Sequence, residues 1–189
     1  MTIPNIISFA RLATIPFIVL AIMRENWMTG LVLFALAGLS DGIDGFIARY
    51  FGQDSELGAY LDPLADKTLS VAVYSAFTLI GLTPVWLLVL IVARDVAIVV
   101  GAGALALRGK ASDIRVLPVS KVNTAVLILL AAWLLAANAF EWSIPSVNRG
   151  LIGLVLVLTA VSAADYTRLI FRSFGAGAAR HQEQSDGSK

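Results

Sequence analysis

A chain of 189 residues that is 58% hydrophobic, 14% charged and free of cysteine lies outside the range of soluble domains, where about a quarter of residues are charged and about half apolar. Fourteen Lys+Arg against 13 Asp+Glu leave a net charge of +1; that excludes a nucleic-acid binder, and zero cysteines exclude a disulfide scaffold, an iron–sulfur protein and a Cys-type zinc site. With a mean hydropathy of +0.83, what remains is an all-α polytopic membrane protein, and at about 20 residues per span the chain has room for at most about six or seven helices.

Six apolar stretches predict transmembrane helices over 6–23, 28–49, 57–80, 84–107, 122–137 and 146–171. Met1-Thr2-Ile3-Pro4 leads straight into the first, with neither a transit-peptide pattern nor a cleavable signal. Arg24-Glu25-Asn26 closes the first hairpin. The second helix is dense in small residues, and its Gly38-x-x-x-Gly42 spacing suits close helix packing. It also carries Asp41 and Asp44, while the third begins with Asp62 and Asp66 and turns into the fourth through Gly81-Leu82-Thr83-Pro84. The fourth holds Arg94-Asp95 in mid-span, and the longest connection, 108–121, is polar. Asp165 in the sixth helix is placed to pair with Arg168. Residues 1–172 thus read as one catalytic domain, and 173–189 as a disordered tail whose His181 has no assigned role. Trp27, Trp86, Trp133 and Trp142 suit interface anchors.

With both termini cytoplasmic, that side holds Arg49, Arg108, Lys110, Arg115, Lys121, Arg168, Arg172, Arg180 and Lys189, against Arg24 and Arg149 on the other. The asymmetry sets the orientation, and a bacterial inner membrane is the expected location.

Ionisable groups inside spans are expensive and point to function. Spacings of three and four put Asp41 with Asp44, and Asp62 with Asp66, each on one helical face. The two helices run antiparallel, so both pairs converge near the cytoplasmic end on one wall of a cavity. Four facing carboxylates cannot all stay ionised without cations. Two hard divalent ions, Mg²⁺ or Mn²⁺, suit an all-oxygen set, and such a pair is a common clamp for displacement at phosphorus. Gly42, Gly45, Ala48, Gly58 and Ala59 leave the adjoining faces without bulk. From spacing alone, an interhelical carboxyl network or the proton relay of an ion-coupled transporter is also open, although no inverted repeat or interrupted helix pair is visible.

Asp41-Gly-Ile-Asp44-Gly45-Phe-Ile-Ala48-Arg49, eight residues, then Gly58-Ala-Tyr-Leu-Asp62-Pro-Leu-Ala-Asp66 resembles the signature of the CDP-alcohol phosphatidyltransferases, D-x2-D-G-x2-A-R-x8-G-x3-D-x3-D, at every fixed position. The resemblance implies that family's six-helix bundle and a homodimer. It implies Asp41, Asp44 and Asp62 as metal ligands, with Asp66 a further ligand and the general base. Gly45, Arg49 and Gly58, with Ala48 and Asn5 beside them, would line the CDP-lipid. A guanidinium at Arg49 can grip phosphate oxygens in a fork, although helix-end anchoring is its plainer alternative.

Pro4-Asn5-Ile-Ile-Ser8-Phe-Ala-Arg11 is similar to the Pro-Asn-x-x-Thr-x-x-Arg opening of two branches of the family, the phosphatidylglycerophosphate synthases and the CMP-forming cardiolipin synthases, with Ser8 for the usual Thr. Ile91-Val-Ala-Arg94-Asp95-Val and Ser120-Lys121-Val-Asn-Thr-Ala resemble the second branch. That implies transfer from CDP-diacylglycerol to phosphatidylglycerol, with glycerol 3-phosphate the acceptor in the alternative branch. Arg94, Arg115, Ser120 and Lys121 are candidates to meet the acceptor's phosphate beside a helix N-terminus. An internal Arg94–Asp95 ion pair and interfacial anchoring by Lys121 are the competing roles.

Overall fold

A computed structural model describes residues 3–51, 56–107, 118–142 and 144–163, with side chains over 8–40, 63–100, 120–142 and 144–163. Among the described residues the chain is all-helical: α1 (Ile3–Met23), α2 (Trp27–Phe51), α3 (Glu56–Leu79), α4 (Val85–Leu107), α5 (Pro118–Ala139) and α6 (Pro145–Ala163). The six elements fall on the six apolar stretches, the last described over 145–163 with 164–171 outside the described residues. One boundary corrects the expectation: α5 starts at Pro118 rather than Val122, so Ser120 and Lys121 lie in its first turn and not in the connection. Proline is well suited to open a helix, since its φ is already helical and its missing N–H is not needed there.

α1, α3 and α5 stop in the same way. The amide three residues beyond each helix's last residue reaches back to a carbonyl: Asn26 to Ala21 at 2.9 Å, Leu82 to Phe77 at 2.8 Å and Trp142 to Ala137 at 2.7 Å. Each motif requires one residue in the left-handed region, filled by Glu25 (φ 55°), Gly81 (φ 77°) and Glu141 (φ 56°). Only the second uses glycine; the glutamates accept a strain of about 1 kcal/mol or more.

The core is built from apolar faces of α1, α3, α4 and α5, with Ile18, Ile22, Phe77, Leu87, Leu130 and Leu134 fully enclosed. α1 packs on α2 and α3, α2 on α5, and α3 on α4 and α5. Tyr74 is buried in this core and donates its hydroxyl to the Leu127 carbonyl at 2.8 Å, with its ring edge-on to Phe77. Asn123 on α5 and Thr159 on α6 exchange hydrogen bonds at 3.1 and 3.3 Å inside the bundle. Much of the described exterior is apolar: Phe17, Leu39, Leu79, Val100 and Leu129 are all more than 60% exposed, a pattern suited to a lipid surround. Ser120–Ala139 and Pro145–Ala163 are apolar over a length that crosses a membrane, and Ser8–Met23 and Trp27–Ser40 are shorter apolar helical segments.

Arg11 on α1 meets Asp66 on α3, and Arg94 on α4 meets Ser120 in the first turn of α5.

Candidate active site

The aspartate pairs lie on two neighbouring segments of the chain, α2 and α3. α2 bears Asp41 and Asp44 in its last three turns, and α3 bears Asp62 and Asp66 in its first three. Side chains at Asp41, Asp44, Gly45, Ala48, Arg49, Gly58 and Asp62 lie outside the described residues, as does that of Asn5. Arg115 and the 173–189 tail lie outside them altogether.

Asp66 is the aspartate of the four whose surroundings are defined. Its Oδ1 accepts from Arg11 Nη1 at 2.9 Å. The two partners differ in environment: the Arg11 side chain is 0% exposed, the Asp66 side chain 48%. A guanidinium enclosed among helices needs a counter-charge, and here the ion pair holds one carboxylate oxygen while the group still faces open space. Asp66 lines two cavities. One, of about 120 Å³, lies between α1, α2, α3 and α5 and is walled by Phe34, Ala37, Gly38 and Tyr74. The other, of about 180 Å³, lies toward α4 and is walled by Lys67, Ser70, Arg94, Asp95 and Thr124. Gly38 faces the first with nothing within 4 Å of where a Cβ would stand, so the absence of a side chain keeps that chamber open.

Arg94 and Ser120, both expected near a phosphate, are brought together and bonded to each other. Arg94 Nη2 donates to the Ser120 carbonyl at 2.9 Å and to its Oγ at 2.6 Å, while Nη1 donates to Asp95 Oδ1 at 2.9 Å. The internal ion pair weighed against a ligand role is therefore formed, and the guanidinium ties the middle of α4 to the first turn of α5. Thr124 adds a bond to the same Ser120 carbonyl at 3.1 Å. Lys121, the next residue along, is exposed and lines neither cavity.

Two residues beside Asp66 carried no assigned role in the sequence. Arg11 closes the opening motif and is the one charge in an apolar helix, a signal that it must meet a partner in the interior. Lys67 follows Asp66 directly and lines the α4-side cavity; only the packing of α3 on α4 shows that it faces the site.

A metal is implied by the aspartate pattern, and the donor set fits a hard divalent ion. It is made of carboxylate oxygens, and the one described carboxylate is half open beside a cavity. No cluster of three or more ligating side chains occurs among the described residues, because three of the four aspartate side chains fall outside them.

The sequence model of the CDP-alcohol phosphatidyltransferases matches residues 1–163. The chain is 37% identical over 87% of its length to the CMP-forming cardiolipin synthases of Rattus norvegicus and Homo sapiens, covering 60% of each. It is 31% identical over 91% of its length to the CDP-diacylglycerol–glycerol-3-phosphate 3-phosphatidyltransferase of Aquifex aeolicus, covering 99% of it.

Proposed function

The chain belongs to the CDP-alcohol phosphatidyltransferase family, and from that premise we propose that it transfers a phosphatidyl group from CDP-diacylglycerol to phosphatidylglycerol, forming cardiolipin and releasing CMP. That it is a phosphatidyltransferase follows from the family and from the likeness to cardiolipin synthases. The choice of acceptor is the further step. It is favoured by the higher identity to the cardiolipin synthases and by the Arg94-Asp95 and Ser120-Lys121 stretches that resemble them.

The observation that carries the mechanism is the position of Asp66 on the wall between two chambers. A general base must lie within hydrogen-bond reach of the hydroxyl it deprotonates, and Asp66 lines both chambers in which an acceptor could sit. In the proposed reaction Asp66 accepts the proton of the acceptor hydroxyl. The freed oxygen bonds to the β-phosphorus, the bond from that phosphorus to the bridging oxygen breaks, and CMP leaves. Arg11 positions the Asp66 carboxylate by holding Oδ1. Asp41, Asp44, Asp62 and Asp66 would hold two divalent cations, Mg²⁺ or Mn²⁺, which supply charge neutralisation at the diphosphate. Arg49, with Gly45, Ala48 and Gly58 leaving room on the helix faces, would receive the nucleotide end, near Asn5. The remaining rate enhancement comes from alignment of two membrane-held reactants.

In this proposal all six helices cross a bacterial inner membrane, both termini and the active site face the cytoplasm, and the protein is a homodimer. The second reading, favoured by the end-to-end match to the Aquifex aeolicus enzyme, is transfer to glycerol 3-phosphate.

The deciding assay offers the purified protein CDP-diacylglycerol and Mn²⁺ or Mg²⁺ with each acceptor separately. Cardiolipin and CMP are expected with phosphatidylglycerol, and chelation of the metal should stop both. Turnover with glycerol 3-phosphate and none with phosphatidylglycerol overturns the choice of acceptor. Solute flux without CMP release, surviving chelation, would mark a transporter.

A further inference from the structure

The chamber on the α1 and α2 side of Asp66 is graded along its length. The Arg11–Asp66 pair forms its wall at one end, with Ser70 and Thr124 near it. From there the wall follows α3 as far as Tyr74 and α5 as far as Ala131, about 12 Å along the first helix and about 10 Å along the second at 1.5 Å per residue. The Tyr74 hydroxyl is already given to the Leu127 carbonyl, so beyond Thr124 the lining offers hydrocarbon and aromatic surface. In the topology proposed above, α3 and α5 both start at the cytoplasmic end. The polar end of the chamber then faces the cytoplasm and the apolar end runs toward the middle of the bilayer. That is the polarity of a membrane lipid, and the length approaches that of half a bilayer core, about 15 Å.

The chamber also has a side opening. Most of its wall is buried, but Gly38 on α2 and Ile128 on α5 are exposed, the latter at 48%. A Cβ on Gly38 would have nothing within 4 Å among the described residues, so the first glycine of the Gly38-x-x-x-Gly42 spacing is not used for close packing between them. Glycine inside a helix is costly beside alanine, and no close approach requires it here. Its effect is a gap in the wall between α2 and α5. Asp41 and Asp44 follow Gly38 at steps of three along α2, so the gap lies one helical turn inward of the aspartates. A lipid with its diphosphate at those aspartates would bring its glycerol and the start of its chains to this level.

The geometry points to this chamber as a slot for one acyl chain of CDP-diacylglycerol, entered from the bilayer between α2 and α5 past Gly38 and Ile128, with the glycerol end at Asp66. This rests on the phosphatidyl-transfer proposal above but not on its choice of acceptor, because both acceptors take the phosphatidyl group from the same donor. It makes Gly38 a residue that admits the donor's chain.

The test uses the full chain in mixed micelles. Gly38→Phe and Ile128→Trp fill the opening from opposite helices, and Leu36→Phe is a bulky control on an exposed part of α2 outside the chamber. Gly38 and Ile128 are exposed, so neither new ring is forced into the core. Each filling variant should raise KM for CDP-dioleoylglycerol about tenfold, equivalent to about two methylenes unseated. Each should leave nearly unchanged the KM for whichever acceptor the wild type uses, and the inhibition constant of CDP-glycerol, which has the head group without the chains. Leu36→Phe should alter none of these. On the wild type, a CDP-diacylglycerol with a diazirine on its acyl chain should label the segments 34–38 and 124–131.

If both filling variants keep the wild-type KM for CDP-dioleoylglycerol, or the label falls on other segments, the slot is overturned while the reaction stands. If they raise KM for phosphatidylglycerol and not for the CDP-lipid, the chain in the chamber is the acceptor's and the assignment to the donor is overturned. If CDP-glycerol weakens as much as CDP-dioleoylglycerol, the variants act on the head group and the slot again falls. If they shift the monomer–dimer balance and slow both substrates equally, Gly38 packs on a second copy, which also overturns it. If the wild type releases no CMP from CDP-diacylglycerol with either acceptor, the phosphatidyl-transfer reading itself falls and takes the slot with it.

Discussion

Arg94→Met separates a structural tie from a free anion receptor. The substitution keeps the aliphatic stem and its packing but removes Nη1 from Asp95 at 2.9 Å and Nη2 from the Ser120 carbonyl and hydroxyl at 2.9 and 2.6 Å. The pair is largely enclosed, with side-chain exposures of 7% for Arg94 and 14% for Asp95. Breaking a buried pair by deleting one partner strands the other charge, which costs about 3–5 kcal/mol. Hydrogen bonds among membrane helices alone average well under that, about 0.6 kcal/mol each, so most of the loss comes from Asp95. Arg94→Met with Asp95→Leu should therefore recover most of the stability that the single variant loses, because replacing both partners with apolar groups is often close to neutral. The measurement is unfolding of the purified protein in detergent, followed by helical circular dichroism. A single variant that loses less than about 1 kcal/mol, the range of a solvent-screened pair, would show that Arg94 does not hold α4 to α5. A double variant as unstable as the single would show that stranding Asp95 is not the cause.

Asp66→Asn should lower turnover by about 10²- to 10⁴-fold, the usual contribution of a positioned base, while CDP-diacylglycerol binding measured by equilibrium dialysis stays near the wild-type value; wild-type turnover would remove the base assignment. Arg49→Lys keeps the charge and loses the fork geometry, so it should weaken CDP-lipid binding at a similar rate of chemistry, read as a rise in KM with kcat little changed. Tyr74→Phe deletes the hydroxyl that donates to the Leu127 carbonyl and should cost about 1 kcal/mol in the same unfolding measurement; no loss of stability would show that this bond does not hold α3 to α5.

The helices were legible because each is a long, mostly apolar run, and several are bounded by a local signal. Asn26 accepts the Thr29 amide and opens α2, and Gly81 takes a positive φ after α3. The start of α5 was less legible. Residues around Ser120 and Lys121 are polar and look like a connection, and the first turn is settled by Pro118 and by Arg94 reaching across from α4. Arg94 itself was open between two roles. Its neighbour Asp95 made an ion pair possible, but nothing in the chain order placed Ser120, 26 residues away, beside it.

The sequence by itself determined the all-helical class, the six helices, and the spacing that puts Asp41 with Asp44 and Asp62 with Asp66 on shared faces. Those properties depend on composition and on the 3.6-residue period, which are local. Tertiary structure decided that Arg11 holds Asp66, that Arg94 joins α4 to α5, and that Lys67 and Asp95 line both a polar chamber and a largely apolar cleft. Each of these depends on how one helix packs beside another, which is set by contacts between segments distant in the chain.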